Sequence, residues 1–137
     1  KQEYIDGLWY CAVRTLSDAK TALSYSPDNT AIAYYSAFYA VSALFASQDL
    51  FFKKRSGLRA AVHRELVNTR RWPSSLGADF SELYKLREVA DYGVLHHASP
   101  EDAAGAVERA ERIVKAVHDM RPDLFDLDLP TDESIET

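Results

Sequence analysis

Between Thr30 and Ser47 the chain offers a helix with almost no polar face. Ile32, Tyr34, Tyr35, Phe38, Tyr39, Val41, Leu44 and Phe45 are spread around it, with alanines between them. A helix that is apolar nearly all round has to be covered on more than one side. It therefore belongs at the centre of a helical bundle. One side is covered by its own chain, and the other is a candidate dimer face. The tyrosines read as core or interface rings, with base stacking as the alternative.

The remaining segments supply that cover. Ile5, Leu8, Trp9, Ala12, Val13, Leu16, Ala19 and Leu23 keep a three-four rhythm that predicts a helix from Gln2 to Tyr25. Cys11 lies beside this stripe and reads as a small buried or half-buried side chain rather than a nucleophile. Ser26-Pro27-Asp28-Asn29 breaks the chain, with Asp28 or Asn29 capping the next helix. A third helix is expected over Gly57–Thr69, capped by Ser56, with Leu58, Ala61, Val62 and Leu66 inward and Arg59, His63 and Arg64 facing elsewhere. Residues 70–78, rich in Pro, Gly and Ser, read as a loop in which Trp72 plugs a core edge, with stacking on a base beside Arg70 and Arg71 as the alternative. Asp79 with Glu82 reads as a capping box opening a fourth helix. Leu83, Leu86, Ala90 and Val94 form its apolar stripe, Arg87, Asp91 and Tyr92 flank it, and His96 and His97 stand near its end. Ser99-Pro100-Glu101-Asp102 is a strong start signal for a fifth helix running to Met120. Ala103, Ala106, Val107, Ala110, Ile113, Val114 and Val117 face inward on it, and Glu108–Arg112 and Glu111–Lys115 pair on its wet side.

These segments predict an all-α, up-and-down bundle of about five helices over residues 1–122. An acidic tail over 123–137 follows, in which Leu124, Phe125, Leu127 and Leu129 are candidates to dock and residues beyond Pro130 are mobile. Length supports one domain, and five Gly and five Pro, the prolines at segment boundaries, argue against a strand-and-turn architecture. No apolar run approaches a membrane span, and the start lacks a signal-peptide pattern. The first residue is Lys1 rather than Met, so preceding residues are expected. A single cysteine makes no internal disulfide, which fits a reducing cytoplasm. No Cys/His metal spacing and no Gly-rich phosphate loop is present, so neither metal nor cofactor is expected. The net charge of −5 is uneven. Residues 53–71 hold Lys53, Lys54, Arg55, Arg59, Arg64, Arg70 and Arg71 against Glu65 alone, and the rest of the chain is strongly acidic. Lys53, Lys54, Arg55 and Arg59, at the Ser56-Gly57 entry to the third helix, are candidate contacts for a phosphate or RNA backbone; the alternative is a solvated charged surface.

Ala33-Tyr-Tyr-Ser-Ala-Phe-Tyr39, the basic turn with Ser56-Gly57, and Arg87-Glu-Val-Ala-Asp-Tyr92 occur in the order seen in HEPN proteins (higher eukaryotes and prokaryotes nucleotide-binding). The chain resembles the small free-standing prokaryotic branch over about residues 30–118. The resemblance implies either a metal-independent endoribonuclease, the toxin of a toxin–antitoxin pair, or a nucleotide- or nucleic-acid-binding relative without turnover. Members with activity carry an Arg followed four to six residues later by His, shared across a homodimer cleft, here helices 2 and 4. Arg87 then binds phosphate, His96 or His97 moves protons, and Asp91 and Tyr92 occupy the window where the His stands elsewhere. On a regular helix, nine residues from Arg87 to His96 mean about 13.5 Å of rise and about 180° of rotation, so only a break at Gly93 or a partner subunit brings them together. Many relatives work with a minimal nucleotidyltransferase as antitoxin, in some cases through a tyrosine near the motif, and Tyr92 is the matching position. A helical dimerisation scaffold, with Arg87–Asp91 as an ordinary ion pair, is the third alternative.

Overall fold

The computed structural model describes residues 1–24, 31–92 and 100–128. Within them the chain forms α1 (Gln2–Ala22), α2 (Ala31–Ala46), α3 (Arg55–Ala61), α4 (Ser74–Tyr92) and α5 (Pro100–Met120). A π-helical turn over Val62–Val67 continues α3 without a break. No strand occurs among the described residues, and the architecture is the expected all-α bundle.

The apolar helix α2 is the hub, touching α1, α4 and α5. Tyr34, Val41, Leu44 and Phe45 are fully buried, along with the alanines at 33, 37, 40, 43 and 46. Those small residues let neighbouring backbones approach. Ser36 uses the proximity, donating its buried hydroxyl to the Ala12 carbonyl of α1 at 2.8 Å. A buried hydroxyl needs such a partner, because leaving it unpaired costs about 1–3 kcal/mol. The chain itself thus covers more of α2 than its sequence pattern implies. The half-buried remainder is Ile32, Tyr35, Phe38, Tyr39 and Ser42.

α5 spans the predicted residues, and all seven of its predicted inward positions are buried. Of its expected i,i+4 partners, Glu108 acts on Arg112 by charge, and the close ion pairs of this face tie helices together. Arg112 forks onto Asp79 of α4 at 2.9 and 3.0 Å, and Glu111 meets Lys20 of α1 at 2.8 Å. Asp79 therefore does not cap a helix. α4 begins five residues earlier, at Ser74, and the carboxylate of Asp79 faces α5 from within it. The predicted loop is correspondingly shorter, and Trp72 within it is buried. Ser56 is not a cap either: α3 starts at Arg55, Lys54 precedes it, and no side chain caps its end. Cys11 is exposed, not half-buried, because it falls on the solvent side of α1.

After α5 the chain turns back over the bundle. Phe125 is fully buried with its ring 4.9 Å from that of Trp9. The Trp9 indole N–H donates to the Asp126 carbonyl at 2.7 Å, and the His118 ring bonds the Phe125 carbonyl. The break at 26–29, the Ser99 cap, Gly93, Val94 and everything from Leu129 onward lie outside the described residues.

Candidate functional site

Successive residues on a helix point about 100° apart, so Tyr34 and Tyr35 of α2 part company. Tyr34 turns into the core and Tyr35 stays half-buried. Tyr84 of α4 approaches from the other side. The Tyr34 ring lies 5.6 Å from Tyr35 and 6.2 Å from Tyr84, both edge-on. An arginine stands at each end of this row. The Arg87 guanidinium carbon is 5.1 Å from the Tyr35 ring centre, and that of Arg59 is 4.8 Å from the Tyr84 ring centre. Both are within cation–π range.

Arg87 is also held by hydrogen bonds. Its Nε and Nη2 donate to the Tyr35 hydroxyl at 3.1 and 2.8 Å. One edge of the guanidinium is thereby fixed to α2, so the charge is placed in advance of any ligand. The contact joins the two stretches, Tyr34-Tyr35 and Arg87-Glu-Val-Ala-Asp-Tyr92, that carry the family resemblance.

The hydroxyls of the row are electrically tied to the basic segment. Burial pushes the Tyr34 hydroxyl well above the ordinary tyrosine range, opposed by the charges of Arg55 and Arg87. Tyr84 is raised by desolvation, then by its hydrogen bond to Glu88 and the charge of that carboxylate, with Arg59 and Arg55 opposing. Cations from α3 and α4 therefore act on one tyrosine cluster. Tyr34 itself is fully buried, and its hydroxyl finds no hydrogen-bond partner among the described residues.

The spacing of α3 from α4 is set by a second contact. His63, in the π-helical turn, lies 3.0 Å through Nε2 from Ser81 Oγ of α4. Gly77 makes this possible: a Cβ there would fall 2.7 Å from Val67 Cγ2 and 3.2 Å from His63 Cε1. Four residues before His63, Arg59 is carried over Tyr84 by the same helix.

Of the residues expected from sequence, Arg59 and Arg87 lie over the tyrosine rings, and Arg55 acts on Tyr34 and Tyr84 by charge. Lys53 and Lys54 are exposed in the turn ahead of α3. Arg64 pairs with Glu65 at 2.9 Å instead of extending the positive surface unopposed. Asp91 and Tyr92 end α4, but their side chains lie outside what is described, as do His96 and His97. The sequence reading missed Tyr34, Tyr35 and Tyr84 as members of the site. The signal available was that Tyr84 stands three residues before Arg87, on the same part of the helix. No group of three or more potential metal ligands is found among the described residues, and none of their helices could cross a membrane.

An all-helical bundle with cationic side chains organised on tyrosine rings defines the class of this protein. The HEPN domain profile matches residues 7–120, and the chain belongs to the HEPN family. It is 34% identical over 111 residues to a protein of Thermotoga maritima called "UPF0332 protein", a match covering 80% of this chain and 84% of that one. It is 33% identical over 70 residues to a "putative toxin" of Methanocaldococcus jannaschii, across 51% of this chain and 48% of that protein.

Proposed function

We propose that this chain is a toxin-like HEPN protein that binds RNA or a nucleotide through phosphates at the Arg55, Arg59 and Arg87 face. The observation that carries the reading is the convergence of guanidinium groups from α3 and α4 on one tyrosine cluster, within a chain whose overall charge is negative. An acidic protein that concentrates its cations here has a local attraction for a polyanion. The toxin name of the archaeal relative supports the same direction.

On this reading the protein works as a homodimer. The half-buried face of α2 presents Tyr35, Phe38 and Tyr39, and Tyr4 and Phe51 are 56% and 59% exposed beside a small cleft that Phe38 also lines. A two-fold arrangement through α2 and α4 would set two copies of Arg87 along one groove. Where RNA is cleaved, His96 or His97 supplies the proton transfer and the reaction is a metal-independent attack by the RNA 2′-hydroxyl. A minimal nucleotidyltransferase is then the antitoxin partner, and Tyr92 its acceptor.

The test is fluorescence anisotropy with a labelled single-stranded RNA over a range of salt. Affinity should fall linearly in log-log form, and Arg87→Ala should weaken binding at least tenfold and lower the salt slope by about one. Cleavage that survives EDTA and disappears in His96→Ala would add the ribonuclease activity. Absence of binding to both RNA and mononucleotides by the unmodified protein would refute the proposal.

A further inference from the structure

Most fully buried tyrosines hydrogen-bond their hydroxyl, since a phenylalanine would fill the same space without an orphaned polar atom. Tyr34 departs from this. Its ring is held on four sides, by Tyr35 and Phe38 of its own helix and by Phe80 and Tyr84 of α4. Its hydroxyl has no partner among the described residues. The groups that act on that hydroxyl by charge include Arg55 of α3 and Arg87 of α4. Both are donors without acceptor capacity, so neither can take the Tyr34 proton. Arg87 grips Tyr35, whose ring lies 5.6 Å from that of Tyr34, so the buried O–H sits in the same cluster as one guanidinium and in the field of another. This arrangement is complementary to an oxyanion whose oxygens accept from all three.

We propose that Tyr34 donates its hydroxyl proton to a phosphoryl oxygen bound between Arg55 and Arg87. The inference rests on the phosphate-binding reading above and assigns it a third donor. Arg87 is fixed in advance by Tyr35, giving one rigid wall. Arg55 is exposed in the first turn of α3, and its long stem can re-aim onto the ligand without backbone movement. Tyr34 forms the floor. The hydroxyl is enclosed, and a bound phosphoryl oxygen would give it the acceptor that none of the described residues supplies. No covalent step is involved: the tyrosine keeps its proton, which is shared with the phosphoryl oxygen.

The experiment compares the full chain with Tyr34→Phe, Arg55→Ala and Arg87→Ala. The probes are a labelled single-stranded RNA read by anisotropy and inorganic phosphate as competitor. Tyr34→Phe should weaken RNA binding about tenfold, the effect of one hydrogen bond to a charged acceptor. It should also weaken competition by phosphate. Its salt slope should remain that of the unmodified protein, because no charge is removed, whereas each arginine variant should lower the slope by about one. Its melting temperature should stay level or rise, since an unpaired buried hydroxyl has been deleted. That combination separates a ligand-binding hydroxyl from a structural one. Undiminished binding by Tyr34→Phe alongside weakened binding by Arg87→Ala would overturn the inference and leave the phosphate-binding reading standing. Lack of binding by the unmodified protein would overturn both.

Discussion

Gly77 and Gly7 are both inside helices, and replacing each with alanine puts the role of the α3–α4 contact to a quantitative test. In a helix interior, alanine is favoured over glycine by about 1 kcal/mol. At Gly7 nothing lies within 4 Å of the added Cβ, so that gain should appear almost in full. At Gly77 the new Cβ would sit 2.7 Å from Val67 Cγ2 and 3.2–3.3 Å from the His63 ring. Val67 is β-branched at the end of the π-helical turn and His63 is tied to Ser81, so neither yields freely. Overpacking of this kind costs about 1–3 kcal/mol. Gly77→Ala should therefore be neutral to about 2 kcal/mol destabilised, and Gly7→Ala about 0.5–1 kcal/mol stabilised. Urea denaturation followed by circular dichroism, with equal slopes for all three proteins, measures the difference. In a chain of this length 1 kcal/mol corresponds to about 3–5 °C in Tm, so a thermal scan resolves it too. If Gly77→Ala gained as much stability as Gly7→Ala, the close approach of α3 to α4 would be refuted. Gly77 would then not be what spaces Arg59 over Tyr84.

Asp79→Asn should lower stability by about 1–3 kcal/mol in urea denaturation, because the largely covered carboxylate accepts the charged fork of Arg112 and lies 3.8 Å from Arg109. Phe125→Ala should cost about 3–5 kcal/mol and alter tryptophan emission, since it removes a fully buried ring tilted against Trp9. Alkaline titration at 295 nm should show Tyr34 ionising only as the protein unfolds. The folded-state values of Tyr34 and Tyr84 are raised, so their contribution to stability is complete below the unfolded value near 10 and declines as pH rises above it. Ionisation of all tyrosines near pH 10 with the fold intact would contradict their burial.

Which parts of this were legible in the residues follows from the range of the forces involved. α5 was readable end to end because its start signal and its apolar spacing are both local. α4 was placed too late because Asp79-x-x-Glu82 imitates a capping box, while Leu76, Phe80 and Leu83 already carried the helical rhythm back through Gly77. Asp79 looked like a cap because its true partner, Arg112, is 33 residues away. The same limit hid the site. Arg87 drew attention as a member of a short motif, but Tyr35, 52 residues earlier, holds it, and no spacing rule links the two. The basic segment was visible as charge, and its approach to Arg87 depends on how α3 lies against α4.

A π-helical turn accommodates one residue more than the α-helical turn it replaces. Loss of a single codon between Val62 and Val67 would let the segment close into a regular helix. The turn still completes its revolution, so the two flanks stay in phase and Arg59 keeps its place over Tyr84. Every recognisable motif would persist in such a descendant, and so would most of its core. This turn could therefore lose one residue in descent without moving the arginines, so a chain one residue shorter here could present the same face.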